Sequence, residues 1–317
     1  MEDTSKADGI ATEEGWHTTS DGHKLYTKKW LTPEAPKAIL VFIHGFSDHC
    51  NAYGILFPRF AARGIEVHSF DQRGWGRSVH KASEKGLTGP TSQVLDDITS
   101  FIKPLLPPKP DVPLFVMGHS MGGAEVLTYM AQGPESVKKY VRGWLLESPF
   151  VAFNPASKPS PIVVVLGRLA GKLFPHMQMV QKLDPALLCR DVQVQKDFVA
   201  DKLCHDTGTL EGLAAMLDRA AGLDGGHIKI PKDAGEDGTT RVWLSHGTKD
   251  GVCDFHGSER LYKRWDYIMD KELVELDGWL HKLHAEPSPD KEEYAKRAAD
   301  WILNRAGSLD SLKSRGY

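Results

Sequence analysis

A serine becomes a nucleophile only where the backbone presents its hydroxyl and a base can take its proton. Gly118-His119-Ser120-Met121-Gly122 offers the first condition, since small residues flank a serine at the G-x-S-x-G spacing of a tight strand-to-helix turn. An apolar run at 114–117 precedes it, and a segment at 124–130 able to form a helix follows it. The base and its orienting acid are expected later in the chain, in the order acid then histidine, each in a loop past a strand. Asp250 stands just past the run at 241–245, and His281 just past the run at 272–276. Asp254 and His284 are the competing acid and base, and both lie further from a strand end. An oxyanion hole needs two backbone N–H groups aimed at the developing charge. The expected donors are Met121, which follows the nucleophile, and Phe46, in His44-Gly45-Phe46 past the run at 38–43. The pair His281-x-x-His284 also has the spacing of metal ligands. No third ligand cluster at zinc spacing accompanies it, so neither a metal nor an organic cofactor is expected.

These residues need a frame that brings their loops to one place. Apolar runs of four to seven residues recur at 38–43, 65–70, 114–117, 143–146, 241–245 and 272–276, and most end at Gly, Asp or Ser. Runs apolar on both faces imply helices on both sides, hence an α/β fold with a mostly parallel sheet. Before them, Trp16-His17-Thr18 and the run at 25–30 flank Asp21-Gly22, which predicts an antiparallel hairpin. Between Phe150 and Arg241 no comparable strand occurs. The chain enters this gap through Pro149, Pro155, Pro159 and Pro161 and leaves it through Gly-rich polar stretches at 224–226 and 235–238. The expected organisation is a flexible N-terminus (1–14), a core (15–150 and 236–304), an inserted helical cap or lid (151–235) and a flexible tail (305–317).

Composition bounds the function. Of 317 residues, 41% are hydrophobic and 26% charged, as in a soluble globular protein. Lys+Arg number 39 against 42 Asp+Glu, a net charge of −3, which gives no basic excess to track a nucleic acid. Cys50, Cys189, Cys204 and Cys253 form no C-x-x-C pair, as suits a reducing compartment without a disulfide framework. The first 14 residues lack the apolar core of a signal peptide, and the longest apolar run, 162–166, is too short to span a bilayer. A cytoplasmic location is expected.

Five blocks occur in order: His44-Gly45-Phe46-Ser47-Asp48-His49, Phe70-Asp71-Gln72-Arg73-Gly74-Trp75-Gly76-Arg77-Ser78, Gly118-His119-Ser120-Met121-Gly122-Gly123, Gly247-Thr248-Lys249-Asp250 and Gly278-Trp279-Leu280-His281-Lys282-Leu283-His284. Together they make the chain resemble the monoacylglycerol lipases of the α/β-hydrolase superfamily, in their fungal type, over about residues 16–304. The resemblance implies a serine esterase that cleaves 1- and 2-monoacylglycerols to fatty acid and glycerol without cofactor. It implies Ser120, Asp250 and His281 as the triad, Phe46 and Met121 as oxyanion donors, and an apolar cap that touches membranes or lipid droplets peripherally. His284 and Tyr53 match positions near the glycerol headgroup in relatives. Glu147, at a strand end, is a further headgroup candidate, with a solvated or capping role as its alternative. Cys204 and Cys253 match positions where the animal enzymes carry cysteines near the site. Those enzymes have an arginine where this chain has Ala52, so no headgroup contact is carried over from that position. The apolar stretch at 161–174, flanked by Lys158, Arg168 and Lys172, is expected to line an acyl tunnel or meet a lipid surface, or else to pack on the body. A lysophospholipase, a short-chain carboxylesterase and a catalytically silent lipid-binding scaffold remain as alternatives.

Overall fold

A computed structural model describes residues 9–109, 111–158 and 160–316. The strands are β1 (Thr12–Thr18), β2 (Lys24–Trp30), β3 (Ala38–Ile43), β4 (Ile65–Phe70), β5 (Leu114–His119), β6 (Val141–Glu147), β7 (Gln178–Val180), β8 (Thr207–Thr209), β9 (Arg241–Gly247) and β10 (Asp270–Leu276). The helices are α1 (Leu56–Ala62), α2 (Thr91–Ile102), α3 (Met121–Gln132), α4 (Glu135–Lys138), α5 (Pro161–Leu173), α6 (Val192–Ala200), α7 (Leu210–Asp224), α8 (Phe255–Lys263), α9 (Asp290–Asn304) and α10 (Leu309–Ser314). Eight strands form one sheet in the order β1-β2-β4-β3-β5-β6-β9-β10, and β7 pairs with β8 in a separate ribbon. The hairpin β1–β2 and the pair β2–β4 are antiparallel, and every other pairing in the large sheet is parallel.

Side-chain alternation along the apolar strands divides the interior into two cores. Leu40 and Phe42 share one core with Phe115, Met117, Leu145 and Trp243, covered by α1 and α9. Val41 and Ile43 share the other with Val116, Trp144, Leu146, Val242 and Leu244, covered by α2, α3, α7 and α8. Register then aligns the strand ends: Ile43 lies opposite Gly118, His119 opposite Glu147, Glu147 opposite Ser245, and Gly247 opposite Leu276. The loops that follow β3, β5, β6, β9 and β10 therefore emerge along one edge, where a parallel sheet places its sites.

Three expected boundaries change. The N-terminal segment is ordered from Thr12, whose strand pairs with β2, while residues 1–8 lie outside the described residues. The tail forms α10 with Leu312 fully buried, and Arg305 is anchored to Asp270. The gap between β6 and β9 returns to the body earlier than 236. Ala220 and Leu223 of α7, with Ile230 and Ala234, are buried in the core beside Trp144, whose Nε1 donates to Ala234 O at 2.6 Å. A helix packed on a cap and one packed on a sheet have the same apolar period, so the sequence pattern could not separate them. Among the described residues, no helix is long and apolar enough to cross a membrane.

Candidate active site

Ser120 occupies the turn between β5 and α3 at φ 54° and ψ −118°, outside the regions an L-residue ordinarily adopts. The surrounding glycines make that turn possible. A Cβ on Gly118 would lie 2.4 Å from Gly122 O, and one on Gly122 would lie 2.3 Å from Ile43 O. The turn is fastened by Ser120 N donating to Glu147 O (3.0 Å) and by Phe150 N donating to Ser120 O (2.9 Å).

Ser120 Oγ lies 2.9 Å from His281 Nε2, and His281 Nδ1 lies 2.7 Å from Asp250 Oδ2. Asp250 Oδ1 accepts from the backbone N–H groups of Val252 (2.8 Å) and Cys253 (2.9 Å). Burial pushes this carboxyl up, but the His281 and His246 rings outweigh it and hold Asp250 well below the usual carboxylate range. The competing residues are placed elsewhere. Asp254 caps the N-terminus of α8 through His256 N and pairs with Arg260. His284 Nδ1 lies 2.6 Å from Glu147 Oε1. His281 and His284 thus face different partners, and the short helical turn 283–285 carries His284 as a buried residue.

Phe46 and Met121 both line the cavity above Ser120. Among the described residues, neither N–H takes a hydrogen-bond partner, whereas the neighbouring Gly45 N donates to Tyr53 Oη at 3.1 Å. Two unengaged N–H groups beside a buried serine can stabilise an oxyanion. Gly45 lets the loop approach closely, since a Cβ there would lie 3.2 Å from Ser120 Cβ.

The three residues expected at the headgroup stand apart from the cavity. Tyr53, His284 and Glu147 are buried, and none lines the cavity. Tyr53 stacks on Phe57 and tilts against His284 at 4.5 Å, while Glu147 accepts from both Nδ1 and the backbone N–H of His284. A carboxylate at a strand end resembles a surface group in sequence, and only the fold shows that α9 and the His284 loop close over it. His119 joins this cluster and also lines the cavity; burial, then the neighbouring His281 and His284 rings, lower its pKa well below the ordinary value.

Two contributors were missed. His246 donates a second hydrogen bond to Asp250 Oδ2 (3.0 Å) and is oriented by Ser258 (2.8 Å). It stands four residues before the acid, just ahead of the Gly247–Asp250 block, a spacing with no recognisable signal of its own. Lys282, next to His281, forms a buried ion pair with Asp48 of the Phe46 loop at 2.9 Å. Cys253 lies beside Ser120 and Asp250, and Cys204 beside His49 and Asp201.

Among the described residues, three groups have metal-ligand atoms within 4.8 Å: His119–Glu147–His284, Asp250–Cys253–His281 and His49–Asp201–Cys204. Each is joined internally by a histidine–carboxylate hydrogen bond. His49 Nδ1 accepts from Asn51 N at 3.2 Å, which places the ring proton on Nε2, the atom a metal would need free.

Above Ser120 opens a cavity of about 360 Å³. Its walls are mainly apolar: Phe150, Phe153, Leu188, Leu210, Leu213 and Leu217 among others. A strained serine relayed through histidine to a buried carboxylate, facing such a cavity, defines the serine hydrolases built on the α/β-hydrolase scaffold. The comparisons narrow this class. The Hydrolase_4 family, described as serine aminopeptidase, S33, matches residues 34–288, and the chain belongs to that family. A putative monoglyceride lipase of Schizosaccharomyces pombe is 31% identical over 292 residues, covering 92% of this chain and 74% of that one. The monoglyceride lipase of Mus musculus is 26% identical, covering 90% of this chain and 89% of that one. In the same fold, a soluble variant of monoglyceride lipase from Saccharomyces cerevisiae, solved with a substrate analog, superposes with a TM-score of 0.84 at 23% identity, covering 94% of this chain and 96% of that one.

Proposed function

We propose that this chain hydrolyses monoacylglycerols to fatty acid and glycerol through an acyl-enzyme on Ser120. The observation that carries this reading is the Ser120–His281–Asp250 relay at the floor of an apolar cavity. His281 Nε2 takes the hydroxyl proton as Ser120 Oγ attacks the ester carbonyl, and Asp250 stabilises the imidazolium. The N–H groups of Phe46 and Met121 hold the oxyanion, each contributing about 3 kcal/mol of barrier reduction. His281 then protonates the departing alkoxide, and water enters to repeat the sequence on the acyl-enzyme. The monoglyceride lipases among the relatives support the substrate class.

The segment at 151–209 serves, in this reading, as a cap over the cavity and as a peripheral lipid contact. Ile162, Leu173 and Phe174 are 72%, 75% and 60% exposed, and Met177 and Val180 are exposed as well. Exposed apolar side chains on a site-covering segment fit a lipid–water interface or a lipid droplet. Side chains at 161 and 163–166 lie outside the described residues.

The acyl-enzyme is tested by treating the protein with a fluorophosphonate and mapping the adduct by mass spectrometry. The adduct is expected on Ser120, with none in Ser120→Ala. An adduct on another residue, or none, contradicts the reading.

A further inference from the structure

The loop that carries Phe46 is supported from two sides. On one side Gly45 N donates to Tyr53 Oη, and Asp48 pairs with Lys282. On the other, the partners come from one short segment, the 201–206 turn that joins α6 to β8. Ser47 Oγ accepts from Asp206 N at 2.9 Å. His49 Nε2 donates to Asp201 Oδ2, also at 2.9 Å, because Nδ1 of that ring accepts from Asn51 N. The Phe46 ring packs edge-on against Trp75 at 4.8 Å, and Trp75 stacks on His205 at 4.9 Å with 7° between the ring planes.

The turn is itself held in place. Asp201 N–H ends α6 by donating to Asp197 O and Phe198 O, and Asp201 Oδ1 accepts from Leu203 N at 2.9 Å. His205 Nε2 donates to Gly74 O at 3.1 Å, while its Nδ1 accepts from Thr207 N. Just beyond, Thr209 N and Oγ1 both donate to Gly86 O. Ser47 and Asp206, joined by their hydrogen bond, each sit at φ 52°, a conformation that non-glycine residues keep only where their surroundings impose it. The turn also reaches the cavity wall, since Gln181, which lines the cavity, donates its N–H to Asp206 O at 2.7 Å. The Phe46 N–H is thus next in the chain to a residue fixed by Asp206, and its ring is one aromatic contact away from His205. A hydrogen-bond donor keeps its aim only as well as the residues around it are held.

Resting on the ester-hydrolase reading above, we propose that the 201–206 turn braces the oxyanion hole from the cap side: Asp201 through His49, and His205 through Trp75, are positioning residues that keep the Phe46 N–H aimed at the developing oxyanion. Neither touches the reacting atoms. Cap and chemistry are thereby joined, because a displacement of the cap that carries this turn away loosens the donor as well as opening the cavity.

The test uses Asp201→Ala and His205→Ala, each alone and combined, on a short nitrophenyl ester, so that the result does not depend on which acyl ester the enzyme prefers. Rates are normalised to the sites that react to completion with a fluorophosphonate, which removes any misfolded fraction. Losing an oxyanion donor outright costs about 10²–10³-fold in kcat. A donor left in place but off its aim is expected to lose part of this, about tenfold in the combined variant, with KM within about twofold of the wild type. The second readout is inhibition by a trifluoromethyl ketone. Ser120 Oγ adds to its carbonyl carbon, the hydroxyl proton passes to His281, and the carbonyl oxygen becomes an oxyanion in the hole. The inhibition constant is expected to rise about tenfold, whereas that of the corresponding secondary alcohol, which fills the cavity without an oxyanion, stays unchanged. Asp201→Asn, which keeps an oxygen for His49, and His205→Phe, which keeps a ring on Trp75, are expected to recover most of the wild-type kcat. An unchanged kcat in the combined variant, or a fall in which ketone and alcohol weaken together, overturns the brace and leaves the hydrolase reading intact. A wild type that neither cleaves the ester nor takes the ketone overturns the hydrolase reading, and the brace with it.

Discussion

Ser120 can act because its backbone is held where few residues would settle, and because His281 and Asp250 reach it from two other loops. Replacing Ser120 by Ala is expected to remove at least about 10⁴-fold of kcat while leaving far-ultraviolet circular dichroism unchanged. Retained turnover would contradict its role as nucleophile. Asp250→Asn is expected to lower kcat about 10⁴-fold, because an amide favours the wrong imidazole tautomer; steady-state kinetics with KM reported separately would measure this. That these three side chains would meet was legible in the sequence, because each stands at a strand end inside a short block with a fixed chemical requirement. The positions of Tyr53, Glu147 and His284 outside the cavity lining were not legible, for a related reason. Sequence spacing put them near the site but could not tell its lining from its backing. Their hydrogen bonds to Gly45 N and to one another come from chain segments 8 to 137 residues apart.

The parallel strands present these loops, and glycine contacts hold the strands close to α3. Gly122→Ala would put a methyl against the carbonyls of Ile43 and His44, at 2.3 and 2.5 Å. The variant is expected to lose about 1–3 kcal/mol of stability in urea denaturation, with kcat reduced as the elbow shifts. Wild-type stability would contradict this close approach. A second tie joins α3 to α7: Glu125 and Arg219, both buried, at 3.1 Å. Burial pushes the Glu125 carboxyl up to about 7, with Arg219 pulling it down. A carboxyl whose folded pKa exceeds its unfolded one binds its proton more tightly when folded. Its contribution is therefore full below the ordinary value of 4.5 and is lost as pH rises towards about 7. The fall in Tm between pH 5 and pH 8 should be smaller in Glu125→Gln than in the wild type; equal falls would contradict the shift. At this scale the strands were legible because fully apolar runs have no other stable place. The extent of the insertion was not, since α7 packs its apolar stripe on the body.

Across the whole molecule, a sheet with two buried cores supports one functional edge, and the segment over that edge carries apolar side chains in solvent. Replacing Ile162, Leu173 and Phe174 together by Ser is expected to weaken binding to anionic phospholipid vesicles about tenfold or more, measured by co-sedimentation, without changing hydrolysis of a water-soluble ester. Undiminished binding would place lipid contact elsewhere. The central claim concerns the substrate, and fatty-acid release tests it most directly. Turnover of 2-oleoylglycerol would be measured beside lysophosphatidylcholine, tributyrin and a short nitrophenyl ester, with Ser120→Ala as the blank. The monoacylglycerol is expected to be the preferred substrate, with release abolished in the blank. Equal or faster turnover of the short nitrophenyl ester, or release that survives loss of Ser120, would contradict it.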